Sequence, residues 1–478
     1  MVLSYGFNQQ EANRSFRHAR KLDPNCAMAY WGSALVLGPN LNAGMSRNKG
    51  KEAFGLVKAA IRELDNETPR EWALIMALEH RYTEEGRVRD AAYADAMRKV
   101  AEQFPKDSDV LTLTAEALMD VHKWNYWNKD GSPKEWTKEI TDMLFKVAEI
   151  DPYNPGMNHF TLHAWEGSKT PEKAVPAADR LSGLVPGVSH LQHMPSHIYL
   201  LVGRYSDGSE ANLGATRAFA AYRKTCEDMG LRTIGGYESH NWDFLWHCSR
   251  WEGRGDLALV AANKLASFVT LRESSQRQHA LPMYTLIQFA RWDEIRATPE
   301  PEEKYAYLRF VWHYGQSMAE MAAGDLDATV KSHQLMKDLL VSSEFRKARS
   351  RQSARMAEIA INLVTAEIAA VESNYKKAAE ALYAAREIEE KLTFRETRTW
   401  PHPVQITMGR IFTAAGMLDE AEKALLENLT ESPENGWALY ALSEVYRKQG
   451  KSAEADDCYA RFQKAWQNAD AGLLVSQK

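Results

Sequence analysis

Two stretches near the carboxyl end decide the fold: Phe412-Thr413-Ala414-Ala415-Gly416-Met417-Leu418-Asp419-Glu420-Ala421 and Tyr446-Arg447-Lys448-Gln449-Gly450-Lys451-Ser452-Ala453-Glu454-Ala455. Phe412 and Tyr446, Gly416 and Gly450, and Ala421 and Ala455 are each 34 residues apart, and Pro433 closes the first of these units. An aromatic, then a glycine, then a small residue is the order expected of two short helices meeting at a tight turn. Such a pair cannot bury its apolar face alone, so it must stack on copies of itself.

The same spacing recurs upstream. Ala12, Phe16, Ala19 and Pro24 carry it, as do Ala174, Ala178, Leu181 and Pro186, and most of it returns at Ala258, Ala262 and Leu265. Pro105 and Pro152 punctuate two further units. The period resembles the tetratricopeptide repeat, which implies an all-α, right-handed α-solenoid of about 11–12 helix pairs. Four zones are expected: amino-terminal units at 1–106, central units at 107–272, irregular helix pairs at 273–400 and clear carboxyl-terminal units at 401–478. Irregular inserts fall near Gly38–Lys51, Lys123–Pro133 and Lys224–Glu238. Long loops inside a compact array are often functional.

Projected backwards, the first repeat places Met1 in the middle of a helix. The reading is therefore a shortened first helix or a missing leader: cytoplasmic in the first case, periplasmic or secreted in the second. The four cysteines, Cys26, Cys226, Cys248 and Cys458, form no C-x-x-C pair and are expected to be buried singly. A net charge of −5 gives no electrostatic reason to expect nucleic acid. No apolar run is long enough to expect a membrane span. Oligomeric state is not readable.

The chemistry lies in the middle. When each unit is numbered from its first helix, His159 and His163 fall at positions 5 and 9 of one repeat. His193 and His197 fall at positions 5 and 9 of the next. His190 takes position 2 and Glu166 position 12; His240, Asp243 and His247 take positions 2, 5 and 9 of a third unit; Glu116 takes position 9 of an earlier one. At about 100° per residue, positions 2, 5, 9 and 12 span roughly 80° of one helix face. The packing positions lie opposite. The tetratricopeptide resemblance implies that this face lines a concave groove where ligands bind. Of the chain's 14 histidines, seven lie between His159 and His247, where uniform scatter would put about 2.6.

Histidines at i and i+4 on a helix can chelate one transition metal, and imidazole suits copper, zinc and iron. His159, His163, His193, His197, His240 and His247 are therefore the expected metal ligands, with His163 and His197 sharing one ion. Glu166 is expected to be a ligand or general base. Glu116, His190 and Asp243 are expected to line the groove or hydrogen-bond to the ligands. Pro195 predicts a kink or late start in the second histidine helix. The insert carrying Asp120, His122, Trp124, Tyr126 and Trp127 is read as a wall over the groove or as a cap on the core.

The strings Met28-Ala29-Tyr30-Trp31-Gly32, Gly38-Pro39-Asn40, His193-Met194-Pro195-Ser196-His197-Ile198-Tyr199 and Pro433-Glu434-Asn435-Gly436-Trp437 resemble a family of long bacterial tetratricopeptide proteins of unassigned activity. The resemblance implies the fold and carries over no reaction. Two functions follow from the residues. One is a metal-binding scaffold, in the stronger form a metalloenzyme acting on a small molecule or peptide in the groove. The alternative is a non-catalytic adaptor whose groove binds a peptide or partner protein.

Overall fold

The computed structural model of the protein describes residues 1–348, 350–392 and 396–470. Among them there is no strand, only isolated bridges such as Asn40 with Ala43 and Trp127 with Pro133. About twelve helix pairs follow one another, from Val2–Tyr5 with Gln9–Leu22 to Gly436–Gln449 with Ser452–Ala465. None of the helices is long and apolar enough to cross a membrane.

Local chemistry explains where the helices start and stop. Asn154, Asp107 and Thr68 each accept a backbone N–H at a helix start, and Thr68 with Glu71 forms a reciprocal capping box. The recurring glycines terminate first helices. Gly450 has φ 76° and Gly416 also has φ 76°, a left-handed turn that a side chain would strain. The small residues sit where helices touch: Ala12, Ala174, Ala178, Ala258, Ala262, Ala421 and Ala455 are all buried. Close approach is literal at Gly32, where an added Cβ would lie 2.2 Å from the Phe16 ring. The first helix, Val2–Tyr5, is short.

The chain divides into two compact units. The first comprises Met1–Tyr199 and Ala211–Asn241; the second comprises Leu200–Glu210 and the described residues from Trp242 onward. This division is coarser than the four sequence zones. In the second unit one apolar cluster runs through the stacked pairs, from Tyr284 and Phe310 through Leu363 and Leu382 to Phe412 and Leu442. Between 273 and 400 the described residues combine long pairs, Ala306–Ala323 with Leu326–Val341 and Arg351–Val371 with Tyr375–Glu390, with short helices such as Leu281–Gln288 and Trp292–Ala297. In the first unit Trp31 is buried and its Nε1–H donates to the Leu74 carbonyl at 3.1 Å. Cys226, Cys248 and Cys458 are buried free thiols as expected, whereas Cys26, beside a helix start, is partly exposed.

Candidate metal centre

Two helices of the first unit carry the chemistry. Pro155–Trp165 begins with Asn154 as cap and proline in its first turn, which fixes the register of His159 and His163. The second is interrupted where Pro195 predicts it, giving Ser189–His193 and then Pro195–Leu201. Met194 nevertheless keeps helical dihedrals, φ −53° and ψ −38°. The break therefore tightens the turn without diverting the chain, and His190, His193 and His197 stay on one side.

The side chains gather as two triads. Ligand atoms of His159, His163 and His190 all lie within 4.8 Å of one another, and those of His193, His197 and His240 do the same. His163 and His197, expected to share an ion, belong to different triads, with ring centroids 6.1 Å apart. A carboxylate links them: Glu166 accepts from His163 Nδ1 at 2.5 Å through Oε1 and from His197 Nδ1 at 2.6 Å through Oε2. His190 is a triad member as well as a lining residue.

In this arrangement the Nδ1 atoms of His159, His163, His193 and His197 all face acceptor oxygens and donate to them. His159 Nδ1 donates to the Tyr5 carbonyl at 2.5 Å and His193 Nδ1 to Asn212 Oδ1 at 2.7 Å. A neutral imidazole with its proton on Nδ1 offers a lone pair on Nε2. His159 Nε2 and His163 Nε2 are buried without a hydrogen-bond partner, as are both nitrogens of His190. Nε2 of His193 faces Nε2 of His197 at 2.8 Å.

The site is enclosed. His159 and His193 are fully buried, and His163, His190 and His197 are at most 4% exposed. The amino-terminal turn Tyr5–Phe7 and the segment around Tyr237 fill the face that the repeat alone would leave bare. Phe7 packs on His159, His163 and His190 with centroids 4.7, 5.7 and 5.8 Å away. It is held at φ 51°, a strained backbone for a phenylalanine. Tyr237 stacks on His190 at 4.0 Å. Trp124, from the aromatic insert, meets His163 edge-on at 5.1 Å and donates through Nε1 to the Leu41 carbonyl at 2.9 Å.

Burial sets the protonation. It holds His159, His190 and His193 well below the usual imidazole range and His240 at about 3, with repulsion among the rings adding to it. Burial alone would raise the Glu166 carboxyl, but the two histidines that donate to it hold it below its ordinary value. At neutral pH His159, His190, His193 and His240 are neutral imidazoles, the protonation that metal ligation requires, and Glu166 is a carboxylate.

Beside His190 lies a cavity of about 360 Å³, walled by Phe7, Asn40, Phe219, Tyr222, Tyr237 and His190 itself. The inserts near Gly38–Lys51 and Lys224–Glu238 supply much of that wall. The remaining sequence candidates lie elsewhere. Glu116 is pushed up to about 8 by burial and by Asp120, so at neutral pH it holds a proton. Asp120 is itself bonded to the buried Arg81 at 2.6 Å. Asp243 and His247 belong to the second unit, and neither triad contains them. Tyr5, Phe7, Asn212 and Tyr237 were missed in the sequence. No periodic signal marks them, because they reach the cluster from parts of the chain remote in number.

No family model matches the chain, and no curated protein does. Solved structures do. A human IFIT1 dimer with m7Gppp-AAAA is 14% identical over 93% of this chain and 90% of that one, with a TM-score of 0.33. The crystal structure of yeast Tom70 is 14% identical over 94% and 95%, with a TM-score of 0.29. Naa15/Naa10 bound to HypK-THB is 14% identical over 98% and 76%, with a TM-score of 0.25. The described residues form an all-helical repeat protein of stacked helix pairs. Its first unit encloses two groups of three histidines.

Proposed function

We propose that the first unit is a metal-binding module holding one transition-metal ion in each histidine triad, and that the protein is a metalloenzyme acting on a small molecule. One observation carries this reading. Six imidazoles, five of them buried and His240 half-buried, converge in two sets of three, and the Nε2 atoms of His159 and His163 are left without a partner because their Nδ1 protons are committed elsewhere. Leaving polar nitrogens buried and unsatisfied costs on the order of 1–3 kcal/mol each, a penalty that a bound cation removes. Copper, zinc or iron fits an all-imidazole donor set better than magnesium or calcium, which prefer oxygen.

Glu166 acts in this reading as a positioning residue and not as a base. Both its oxygens are engaged by Nδ1–H groups, which fixes the tautomer and aim of His163 and His197 together. Tyr5 and Asn212 do the same for His159 and His193. A bound ion would supply Lewis acidity or, for copper and iron, redox capacity.

The cavity beside His190 is where a substrate would enter. Its volume suits a small organic molecule better than a peptide strand. Lys49 is the one lysine or arginine along its wall, and the formal net charge is −5, so nucleic acid is disfavoured on charge. The reading is tested by elemental analysis of protein purified without an affinity tag. We expect copper, zinc or iron in stoichiometric amount. Absence of any transition metal, with no uptake at micromolar supply, would leave the adaptor reading in its place.

A further inference from the structure

The second unit buries a guanidinium that no described residue satisfies. Arg250, on the helix Glu238–Trp251, is 0% exposed, and its Nε, Nη1 and Nη2 all lack a hydrogen-bond partner. Its plane rests over the Trp246 ring at 4.0 Å and nears the Trp251 ring at 5.3 Å. Stacking of this kind covers the faces of the group and leaves its in-plane N–H donors unanswered. A guanidinium donates and never accepts, and it does not lose its proton in a protein. What is missing beside Arg250 is therefore an acceptor, and a buried charge calls for one of opposite sign.

The neighbours do not supply it. Asp243 is the acidic group nearest in influence, but it accepts from the Thr397 side chain, and no hydrogen bond or ion pair joins it to Arg250. His402 already donates through Nε2 to the Tyr284 carbonyl at 2.8 Å. Arg398 is paired with Glu431 at 2.9 Å. Arg277 adds a further positive charge that is felt at His247. A second donor is also orphaned: the Nε1–H of the buried Trp400, whose ring lies 5.7 Å from that of His402, has no partner. The guanidinium of Arg250 and the indole of Trp400 are both donors, so water, which would bring as many donors as acceptors, suits them less well than an anion.

We propose that Arg250 anchors a buried binding site for the carboxylate of a small organic acid, with His247, His402 and Trp400 around it. A carboxylate matches the in-plane fork of the guanidinium with two parallel hydrogen bonds. The acidic side chain of Asp243, within electrostatic reach of Arg250 and itself facing the charge of Glu396, opposes a phosphate dianion and tolerates a single charge. The site is built of residues of the second unit alone.

The test is thermal denaturation and titration calorimetry of the full chain, stripped of metal and kept in chelator so that no imidazole-bound ion can take the anion. Sodium acetate is the probe, with inorganic phosphate and chloride at matched ionic strength. Acetate should raise the melting temperature saturably, and phosphate and chloride should not. Arg250→Met should abolish the acetate response. Asp243→Asn, which removes a competing negative charge, should tighten acetate binding severalfold. An acetate shift equal to that of chloride, a stronger response to phosphate, or a response that survives Arg250→Met would overturn the proposal. If Arg250→Met does not fold, the Asp243→Asn comparison decides, since unchanged acetate affinity there is equally fatal.

Discussion

Glu166 is a single carboxylate that holds one histidine of each triad by its Nδ1–H. Glu166→Gln keeps the size of the side chain but replaces one acceptor oxygen with an NH2 donor. One imidazole is then forced to turn or to move its proton to Nε2, where it can no longer ligate. Loss of such a partner typically weakens metal binding by about 10–100-fold. Chelator competition on the folded variant should show that loss, and affinity equal to the parent would mean that the carboxylate does not position the ligands. At this scale much of the site was legible. The 34-residue echo placed His159 with His193 and His163 with His197 on matching turns, and Glu166 beside them. What could not be read was the partition into two triads. It depends on rotamers and on Tyr5, Phe7, Asn212 and Tyr237, whose sequence positions carry no period.

Between one helix and the next, the recurring glycines separate two physical demands. Gly450 ends its helix at φ 76°, and a Cβ added there would meet nothing within 4 Å. Gly450→Ala should therefore cost only backbone strain, about 1–2 kcal/mol. Gly436 has an ordinary backbone, but an added Cβ would lie 2.1 Å from Trp466 Nε1, inside a packed contact. Gly436→Ala forces the indole aside and should cost roughly 1–3 kcal/mol. Urea unfolding of the two variants measures both. If Gly450→Ala were neutral, the left-handed cap would not be the reason for a glycine at that step of the repeat. The inserts show the limit of element-level reading: their length marked them as functional, but only the fold shows that two of them, near Gly38–Lys51 and Lys224–Glu238, wall one cavity beside His190. Equally, the repeat put His159, His163, His193 and His197 on one face but could not show that Tyr5, Phe7 and Tyr237 cover it. Helix periodicity describes a helix and says nothing of what a distant segment lays over it.

Taken whole, the molecule buries many imidazoles in neutral form, and that shapes its response to acid. Outside the triads, burial holds His402 at about 3, with Arg250 adding to the depression, and holds His333 at about 4, with Lys337 adding. A folded-state value below the unfolded one means that the unfolded chain binds more protons as pH falls. Stability from these groups is thus complete above about pH 6.5 and is lost as pH falls through the range between 6.5 and their folded values. His402→Gln should lose less stability than the parent between pH 6.5 and 4, measured by urea unfolding of metal-free protein; an identical decline would mean that His402 titrates normally. Metal should also stabilise the native state by mass action, so chelation should lower the melting temperature at neutral pH. The repeat was legible across most of the chain because stacking demands the same small residues in every unit. The division into two compact units was not, because the period continues through the residues where the division falls.

Anomalous diffraction at the absorption edge of the bound metal, on crystals of metal-loaded protein, tests the central claim most directly. Two peaks are predicted, one among His159, His163 and His190 and the other among His193, His197 and His240. A single peak shared by His163 and His197, or no peak near these residues, would contradict it.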